Sequence, residues 1–287
     1  MYQIVDVNEE NLESYQGYLA EDLAENIGRT YYRGLVATDE SDGSPVSGMV
    51  WMLKNVEKDA DNESEIIWVR CDDKEAFNAM IKEYSERAKA EGVVRSKAFI
   101  PVKDGKEMKA LLIENGFNMR LSESNVILVK LSELIEMPMM KRMEKMTIPE
   151  NIVPLNQLTM RTFRKGVARS VSQGRYGLCD DLSELGILWF EDDVSCVSTV
   201  DSAINGFFLF HKRPSGVLAV QLLICLDKSF KTTLPYMMRR FVTAMQEKYD
   251  PDTLVELDRH NEQALLLTEK LLPRGFGIPI YAGSRNE

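Results

Sequence analysis

Two acidic side chains, Glu256 and Asp258, stand on alternate positions of the β-rich run that begins Leu254-Val255. In an extended chain alternate residues share a face. Two carboxylates sharing a face can push one pKa upward, as a general base working near neutral pH requires. Upstream, Lys228, Lys231, Thr232 and Thr233 bring two cations and two hydroxyls just ahead of Pro235, a residue placed to open a helix. Cations, hydroxyl donors and a helix N-terminus together favour an anion such as a phosphate. The first half of the chain has Glu63 and Glu65 at the start of a strand-like run and Lys74 ahead of a helix. Each of these charges also fits an ordinary solvated position. His260 fits either a proton relay or a surface residue beside a helix start.

Composition narrows the classes. The chain has 287 residues, with 45 acidic and 35 basic side chains and a formal net charge of −10. Its length suggests two domains, and with 44% hydrophobic residues there is ample material for a core. The acidic balance argues against a phosphate-backbone partner, whose affinity comes mostly from Lys and Arg. No apolar run approaches the roughly 18 residues that would span a bilayer, and Met1-Tyr2-Gln3-Ile4-Val5-Asp6 does not resemble a secretory signal. Cys71, Cys179, Cys196 and Cys225 are scattered, without a CxxC and apart from the two histidines. The expectation is a cytoplasmic chain with free thiols, no metal site, and no nucleic-acid or membrane partner.

The elements that must position these residues recur. Val46-Ser47-Gly48-Met49-Val50-Trp51 resembles Ile204-Asn205-Gly206-Phe207-Phe208-Leu209, 158 residues later. Each follows another β-rich run, Gly34 to Ala37 and Val194 to Val197. The turn-rich Asp39 to Pro45 marks a hairpin in the first half, and Asp201-Ser202 is a weaker turn signal in the second. The strands Ile66 to Val69 and Val217 to Leu226 each run into an amphipathic helix. One helix carries Phe77, Met80, Ile81, Tyr84 and Ala88 on its apolar face; the other carries Leu234, Met237, Met238, Phe241 and Met245. Another strand follows in each half, then a Leu-rich helix ended by Gly116-Phe117 or Gly275-Phe276, an offset of 159. The expected fold class is therefore α/β (α+β with mixed sheets) in two tandem copies. The first domain is expected over 1–131 and the second over 150–287. The Met-rich linker 132–149 between them would pack between the domains. After Gly277 only one strand's length remains, whereas the first half has room for two strands, Phe117–Leu121 and Val126–Lys130, so the second sheet is expected to borrow a strand from the linker or from the other half.

This order of elements resembles the GNAT superfamily of acyl-CoA-dependent N-acyltransferases, and the resemblance covers nearly the whole chain as two copies. In that family V-x-P-x-x-R/Q-x-x-G-x-G/A joins the fourth strand to its helix and holds the CoA pyrophosphate. The first copy reads Val69 to Ala79 there, with Lys74 at the basic position and Phe77 replacing the first glycine. The second reads Leu226 to Tyr236, with Lys231 at the basic position, and Leu234 and Tyr236 replacing both small residues. The resemblance implies cofactor contacts at Leu226, Lys228, Lys231, Thr232 and Thr233. It also implies one at Asn261, which matches the family's N-x-x-A and would serve equally as a helix cap. The tyrosine that often acts as acid in the family has no counterpart, since Leu111 and Lys270 stand there.

Charge separates the copies. Residues 1–130 carry 25 acidic and 16 basic side chains, a net −9; residues 131–287 carry 20 and 19, a net −1. Asp72, Asp73 and Glu75 crowd the first copy's loop with carboxylates. A nucleotide cofactor is therefore expected in the second copy. Glu256 and Asp258 are its candidate bases, acetyl-CoA or another acyl-CoA its co-substrate, and a small-molecule or peptide amine its acceptor. The family's oxyanion donor is backbone on the splayed fourth strand. Arg161, Arg164, Lys165 and Arg169 form a basic stripe on one predicted helix, either solvated or steering an anionic ligand. The competing expectations are a non-catalytic GNAT-like binding module and transfer from an aminoacyl-tRNA, which the acidity opposes.

Overall fold

A computed structural model describes residues 2–29, 31–54, 62–103, 105–173, 186–226, 230–259, 262–272 and 277–287. Its contacts divide the chain into two compact units, Met1–Ser124 with Gly277–Glu287, and Asn125–Phe276. The chain therefore crosses between units at 124/125 and again at 276/277, rather than once within the Met-rich stretch.

The first unit contains β1 (Tyr2–Val7), α1 (Leu12–Tyr15), α2 (Glu21–Ala24), β2 (Tyr32–Asp39), β3 (Pro45–Lys54) and β4 (Asn62–Cys71). These lead to α3 (Lys74–Ala90), β5 (Val93–Pro101), α4 (Lys106–Glu114) and β6 (Asn118–Glu123). In the second unit, β7 (Val126–Lys130), α5 (Leu131–Glu136), α6 (Pro138–Met143), β8 (Ile152–Pro154) and α7 (Met160–Ser172) come first. They are followed by β9 (Cys196–Val200), β10 (Ala203–Lys212), β11 (Leu218–Cys225), α8 (Phe230–Lys248), β12 (Leu254–Asp258) and α9 (Glu262–Leu271). The chain then returns to the first unit as β13 (Pro279–Asn286).

The first sheet has the order β1-β2-β3-β4-β5-β13-β6, and the second β7-β12-β11-β10-β9-β8. Strand β13 runs antiparallel between β5 and β6, while β7 lies antiparallel beside β12. The second sheet thus borrows Val126–Lys130, which follows directly on the first unit's β6, and gives the chain's last strand in exchange. Gly283 shows how tightly β13 is inserted: a Cβ there would lie 2.7 Å from the Asn118 carbonyl oxygen and 2.3 Å from Met119 Sδ. Only glycine fits that approach.

In the first unit, Phe77, Met80, Ile81 and Tyr84 of α3 bury against Leu35, Met49, Trp51 and Ile66 on one sheet face. Val7, Ile27, Val36 and Val50 form a smaller cluster on the opposite face. In the second unit, α8 buries Leu234, Met237, Phe241 and Met245 against Phe208, Phe210, Leu218 and Val255. Phe163 and Val167 of α7 pack on the other face with Val197, Phe207, Leu209 and Leu222. The Met-rich stretch forms α5 and α6, and Met137, Met140 and Met143 bury in the second unit's own core rather than serving as a linker. Helix α8 begins at Phe230, five residues before the expected start, and Pro235 stands inside it. Pro235 is the sixth residue of α8, past the first four whose N–H groups lack intrahelical partners, so the helix forgoes one i→i−4 hydrogen bond there. The Asp201-Ser202 turn has φ of 49° and 65°, the left-handed pair of a tight type I′ hairpin that the residue types only hint at.

Gly283→Ala should destabilise the first unit by about 1–3 kcal/mol, because the neighbouring backbone cannot yield. Urea unfolding followed by Trp51 and Trp68 emission in a Trp189→Phe background measures this. An unchanged midpoint would contradict the insertion of β13.

Candidate functional site

Counted across the first sheet from β1 and across the second from β8, the fourth and fifth strands are parallel neighbours that soon part. In the first, β4 pairs with β5 from Asn62 to Ile66, although β4 runs on to Cys71. In the second, β11 pairs with β12 only at Leu218–Val255 and Ala219–Glu256, although β11 runs on to Cys225. The cause lies in the third and fourth strands. Trp51 faces Ile66 and Val50 faces Trp68, so Ile67 is an extra residue in β4. Phe210 faces Val220 and Leu209 faces Leu222, so Gln221 is the extra residue in β11. An unpaired residue bends a strand and sharpens its twist, which carries its far end away from the parallel neighbour. Each sheet is left with a gap whose apex lies at the last paired residues.

The apex of the second gap carries Glu256. Cross-strand partners lie on one face, so the row His211, Ala219, Glu256 and Leu128 crosses the sheet on the α7 side. Asp258, opposite Val126, lies on the same face nearer the mouth of the gap. The Glu256 carboxylate accepts a hydrogen bond from Arg213 Nη2 at 2.6 Å, both side chains being about one-fifth exposed. The His211 ring stacks on Trp189 at 3.8 Å, with Nδ1 2.8 Å from the Trp189 carbonyl oxygen. Between histidine and glutamate the sheet offers only the methyl group of Ala219.

The first unit fills the same places. Glu65 and Lys97 correspond to Ala219 and Glu256, and Glu65 is buried in an ion pair with Lys54 at 2.6 Å. Glu63 is bound by Lys97 and by Arg95. Beneath the apex, on the α3 face, Tyr84 lies within 2.5 Å of Ser64 Oγ and donates to Ser96 Oγ at 2.6 Å. Ser96 in turn donates to Glu287 at 2.5 Å. The second unit has Leu218, Phe241 and Val255 at the matching positions, all apolar and buried. Burial pushes the Tyr84 hydroxyl up to about 12 despite the two serines. Burial also works against the Glu287 carboxylate, but hydrogen bonds from Ser85, Ser96 and Arg285 outweigh it and hold that group below the ordinary range.

The helix N-termini differ in the same sense. Asp73 caps α3, accepting from the Ala76 N–H at 2.8 Å, and that bond holds its carboxyl below the ordinary aspartate range. Lys74 is paired with Glu114 at 2.8 Å. The first unit thus places its own carboxylate at the N-terminus of α3. Tyr18, Arg70 and Asp72 complete the closure, the guanidinium lying 4.2 Å from the Tyr18 ring centroid and the Tyr18 hydroxyl donating to Asp72 at 3.2 Å. In the second unit, Leu226, one residue past β11, donates its N–H to the Asn205 carbonyl oxygen at 2.7 Å. Lys231, Thr232 and Thr233 occupy the first turn of α8, with Thr232 exposed and Thr233 half-buried. Lys228, Asn261 and His260 lie outside the described residues. The structure therefore gathers Glu256 and Asp258 on one face of the gap and places Leu226, Thr232 and Thr233 where β11 turns into α8. Sequence reasoning missed His211, Trp189 and Arg213, although the alternation Phe207, Leu209, His211 along β10 already put His211 on one face.

Arg161, Arg164, Lys165 and Arg169 are exposed on α7, whose Phe163 and Val167 are buried, and Arg169 donates to the Ile204 carbonyl oxygen of β10 at 3.2 Å. Counted over the observed units, the first has 26 acidic and 16 basic side chains and the second 19 of each. All the net charge belongs to the first unit. Among the described residues no helix is long and apolar enough to cross a membrane, and no group of three His, Cys, Asp or Glu could hold a metal.

No family model and no curated protein matches the sequence. Solved structures match the fold. A tandem GNAT protein from the clavulanic acid biosynthesis pathway superposes with a TM-score of 0.58 at 10% identity, over 100% of this chain and 98% of that one. The GCN5-related glucosamine N-acetyltransferase region of a fungal multi-domain GH3 β-N-acetylglucosaminidase gives 0.59 at 10% identity, over 99% of this chain but only 38% of that one. A conserved protein from Enterococcus faecalis V583, described as a probable N-acyltransferase, gives 0.51 at 10% identity, covering 100% of this chain and 73% of that one. The chain has the GNAT fold, in two tandem copies with mixed sheets.

Because the unfolded Tyr84 ionises near pH 10 and the folded one near 12, the first unit should lose stability as pH rises from about 10 towards 12 and be unaffected by this group below that. Urea midpoints across pH 8 to 11.5 for wild type and Tyr84→Phe test this. Equal alkaline slopes would refute it.

Proposed function

We propose that the second unit is an N-acyltransferase, moving an acyl group, acetyl in the simplest case, from acyl-CoA to an amine of a small molecule or peptide. The observation that carries this reading is the gap between β11 and β12, whose pairing ends at Ala219 and Glu256. The unit around it is electrically balanced, whereas the first unit's corresponding helix start is already capped by Asp73. An extended pantetheine arm suits a gap of this kind, since alternate backbone N–H groups of a strand point to either side. The phosphates suit the first turn of α8, with Lys231, Thr232 and Thr233 as donors, and Lys228 and Asn261, outside the described residues, as further contacts. Fold likeness to acetyltransferases supports the same reading, as does the bulge at Gln221, which bends β11 beside the place of reaction.

The thioester supplies an activated carbonyl. The amine nitrogen forms the new C–N bond, the C–S bond breaks, and the sulfur leaves as thiolate. Glu256 receives the proton that the ammonium must lose before attack, held in orientation by Arg213, and Asp258 on the same face is the second acceptor. A backbone N–H of β11 past the bulge faces the charge that develops on the carbonyl oxygen. The first unit, with its apex and helix start filled by its own side chains, is a degenerate copy that supports the second.

Calorimetric titration with acetyl-CoA should show one site per chain. Lys231→Ala should weaken it about tenfold and Lys74→Ala leave it unchanged; the reverse order would place the cofactor in the first unit. Glu256→Gln should retain acetyl-CoA binding while lowering kcat about 10²–10⁴-fold, the usual worth of a general base. Absence of binding at millimolar acetyl-CoA would leave a non-catalytic module.

A further inference from the structure

The second unit has a cleft of about 350 Å³ that acyl transfer does not use, and its size is within the usual range for small-molecule sites. Lys212, the last residue of β10, and Gly216, in the turn to β11, line it. So do Lys248, the last residue of α8, Tyr249 and Asp250 after it, and Thr253 just before β12. Glu191, whose N–H donates to the Phe210 carbonyl oxygen at 2.9 Å, completes the lining. Lys212 pairs with Leu218, on the sheet face that α8 covers, whereas Glu256 lies on the α7 face. The cleft is therefore separate from the candidate active site. A Cβ on Gly216 would meet nothing within 4 Å, so the turn leaves space beside it.

The lining carries two cations and two carboxylates, and one of each is already engaged. The Lys248 ammonium donates to Asp193, which also accepts from Asn156 at 2.8 Å. The Glu191 carboxylate accepts from the Tyr249 hydroxyl. Burial first, and then that bond, push the Tyr249 hydroxyl up, so it stays a donor to Glu191. Lys212 and Asp250 are exposed and have no charged partner among the described residues. The Thr253 hydroxyl has no hydrogen-bond partner among them either. The Lys212 ammonium lies 5.7 Å from the Tyr249 ring centroid. Asp250 follows the C-terminus of α8, where the last carbonyl groups carry partial negative charge. One cation with a hydroxyl, and one carboxylate with a helix C-terminus, are thus left to meet a ligand.

We infer that this cleft is a binding site for a free α-amino acid, held as its zwitterion. The ligand carboxylate takes the Lys212 ammonium and the Thr253 hydroxyl, and the ligand ammonium takes Asp250 beside the end of α8. Hydrogen bonds of this kind, with an ionised group on each side, are stronger than neutral ones. The lining charges sum to zero, so a zwitterion leaves the cleft balanced. A simple anion would leave Asp250 unanswered, and a simple cation would leave Lys212. The volume is that of about a dozen waters, which suits one amino acid rather than a longer chain. The site does not depend on the acyl-CoA reading of the gap.

Calorimetric titration of the full chain with each standard amino acid tests this, with propionate and ethylammonium as single-charge probes. At least one amino acid should bind with a millimolar or tighter Kd, and about tenfold or more tightly than either probe. Lys212→Met and Asp250→Asn, both at exposed positions, should each weaken that amino acid about tenfold. Glu256→Gln should leave its affinity unchanged, because Glu256 lies on the other face of the sheet. No binding of any amino acid at millimolar concentration would overturn the proposal. So would propionate or ethylammonium binding as tightly, or amino-acid binding that neither cleft variant weakens. A chain that binds an amino acid through Lys212 and Asp250 but binds no acetyl-CoA would refute the acyl-transfer reading and support this one.

Discussion

One extra residue in a strand cannot be ignored by its neighbours. Ile67 in β4 and Gln221 in β11 each interrupt the ladder to the preceding strand, and each interruption lies at the end of the parallel pairing on the other side. The strand bends, its parallel partner does not follow, and a sheet that would otherwise be continuous acquires an opening. That misfit sets which side chains flank the opening and which backbone groups lose their ladder partners. That both copies keep it, with little else in common at the apex, separates the architecture of the opening from the chemistry placed around it.

The copies have taken opposite courses around this shared geometry. In the first, buried Glu65 with Lys54, Tyr84 with its two serines, and Asp73 on the N-terminus of α3 satisfy the local polar groups from within. A buried polar network of this kind rigidifies when fully satisfied, and the Asp73 carboxylate accepts an N–H that the start of α3 would otherwise leave unpaired. In the second, alanine stands at the apex, apolar residues replace the serine–tyrosine group, and charges of the two signs balance. The electrostatic difference between the units is thus more than a difference of totals; it is expressed at the residues where an anionic ligand would be held.

Much of this was legible in the sequence, for identifiable reasons. Apolar spacing in α3 and α8 follows the helical period, and the strands alternate cleanly, so side-chain faces such as that of Glu256 and Asp258 could be assigned without coordinates. The recurring offset near 158 gave the two copies. What was not legible is which strand fills which slot. Val126–Lys130 and Pro279–Asn286 are both short strands with one core-facing set, and local pattern does not say whether either pairs at home or in the other sheet. The bulges were invisible because neither Ile67 nor Gln221 is a glycine or proline. The start of α8 was misplaced because a proline that helices often carry at their first position stands here within the helix, at its sixth residue. The Arg213–Glu256 pair joins residues 43 apart in the chain, beyond the reach of any local rule.

The exchange of strands has a consequence for the order of events during synthesis. The slot between β5 and β6 is filled by a segment that begins about 155 residues after β6 ends. At roughly 5–20 residues per second, the first sheet waits about 8–30 s for its missing strand. In that interval the next strand to leave the ribosome is Val126–Lys130, joined to β6 by two residues, the length of a tight hairpin. Newly made chains thus meet a choice between closing the first sheet at once with the wrong strand and holding it open for the right one. A two-residue hairpin would set Val126 opposite Glu123 and therefore Lys130 opposite Met119, the place that Gly283 takes in the finished sheet. A side chain has no room there against Met119 and the Asn118 carbonyl. The same crowding that demands glycine in β13 thus works against the early, wrong closure.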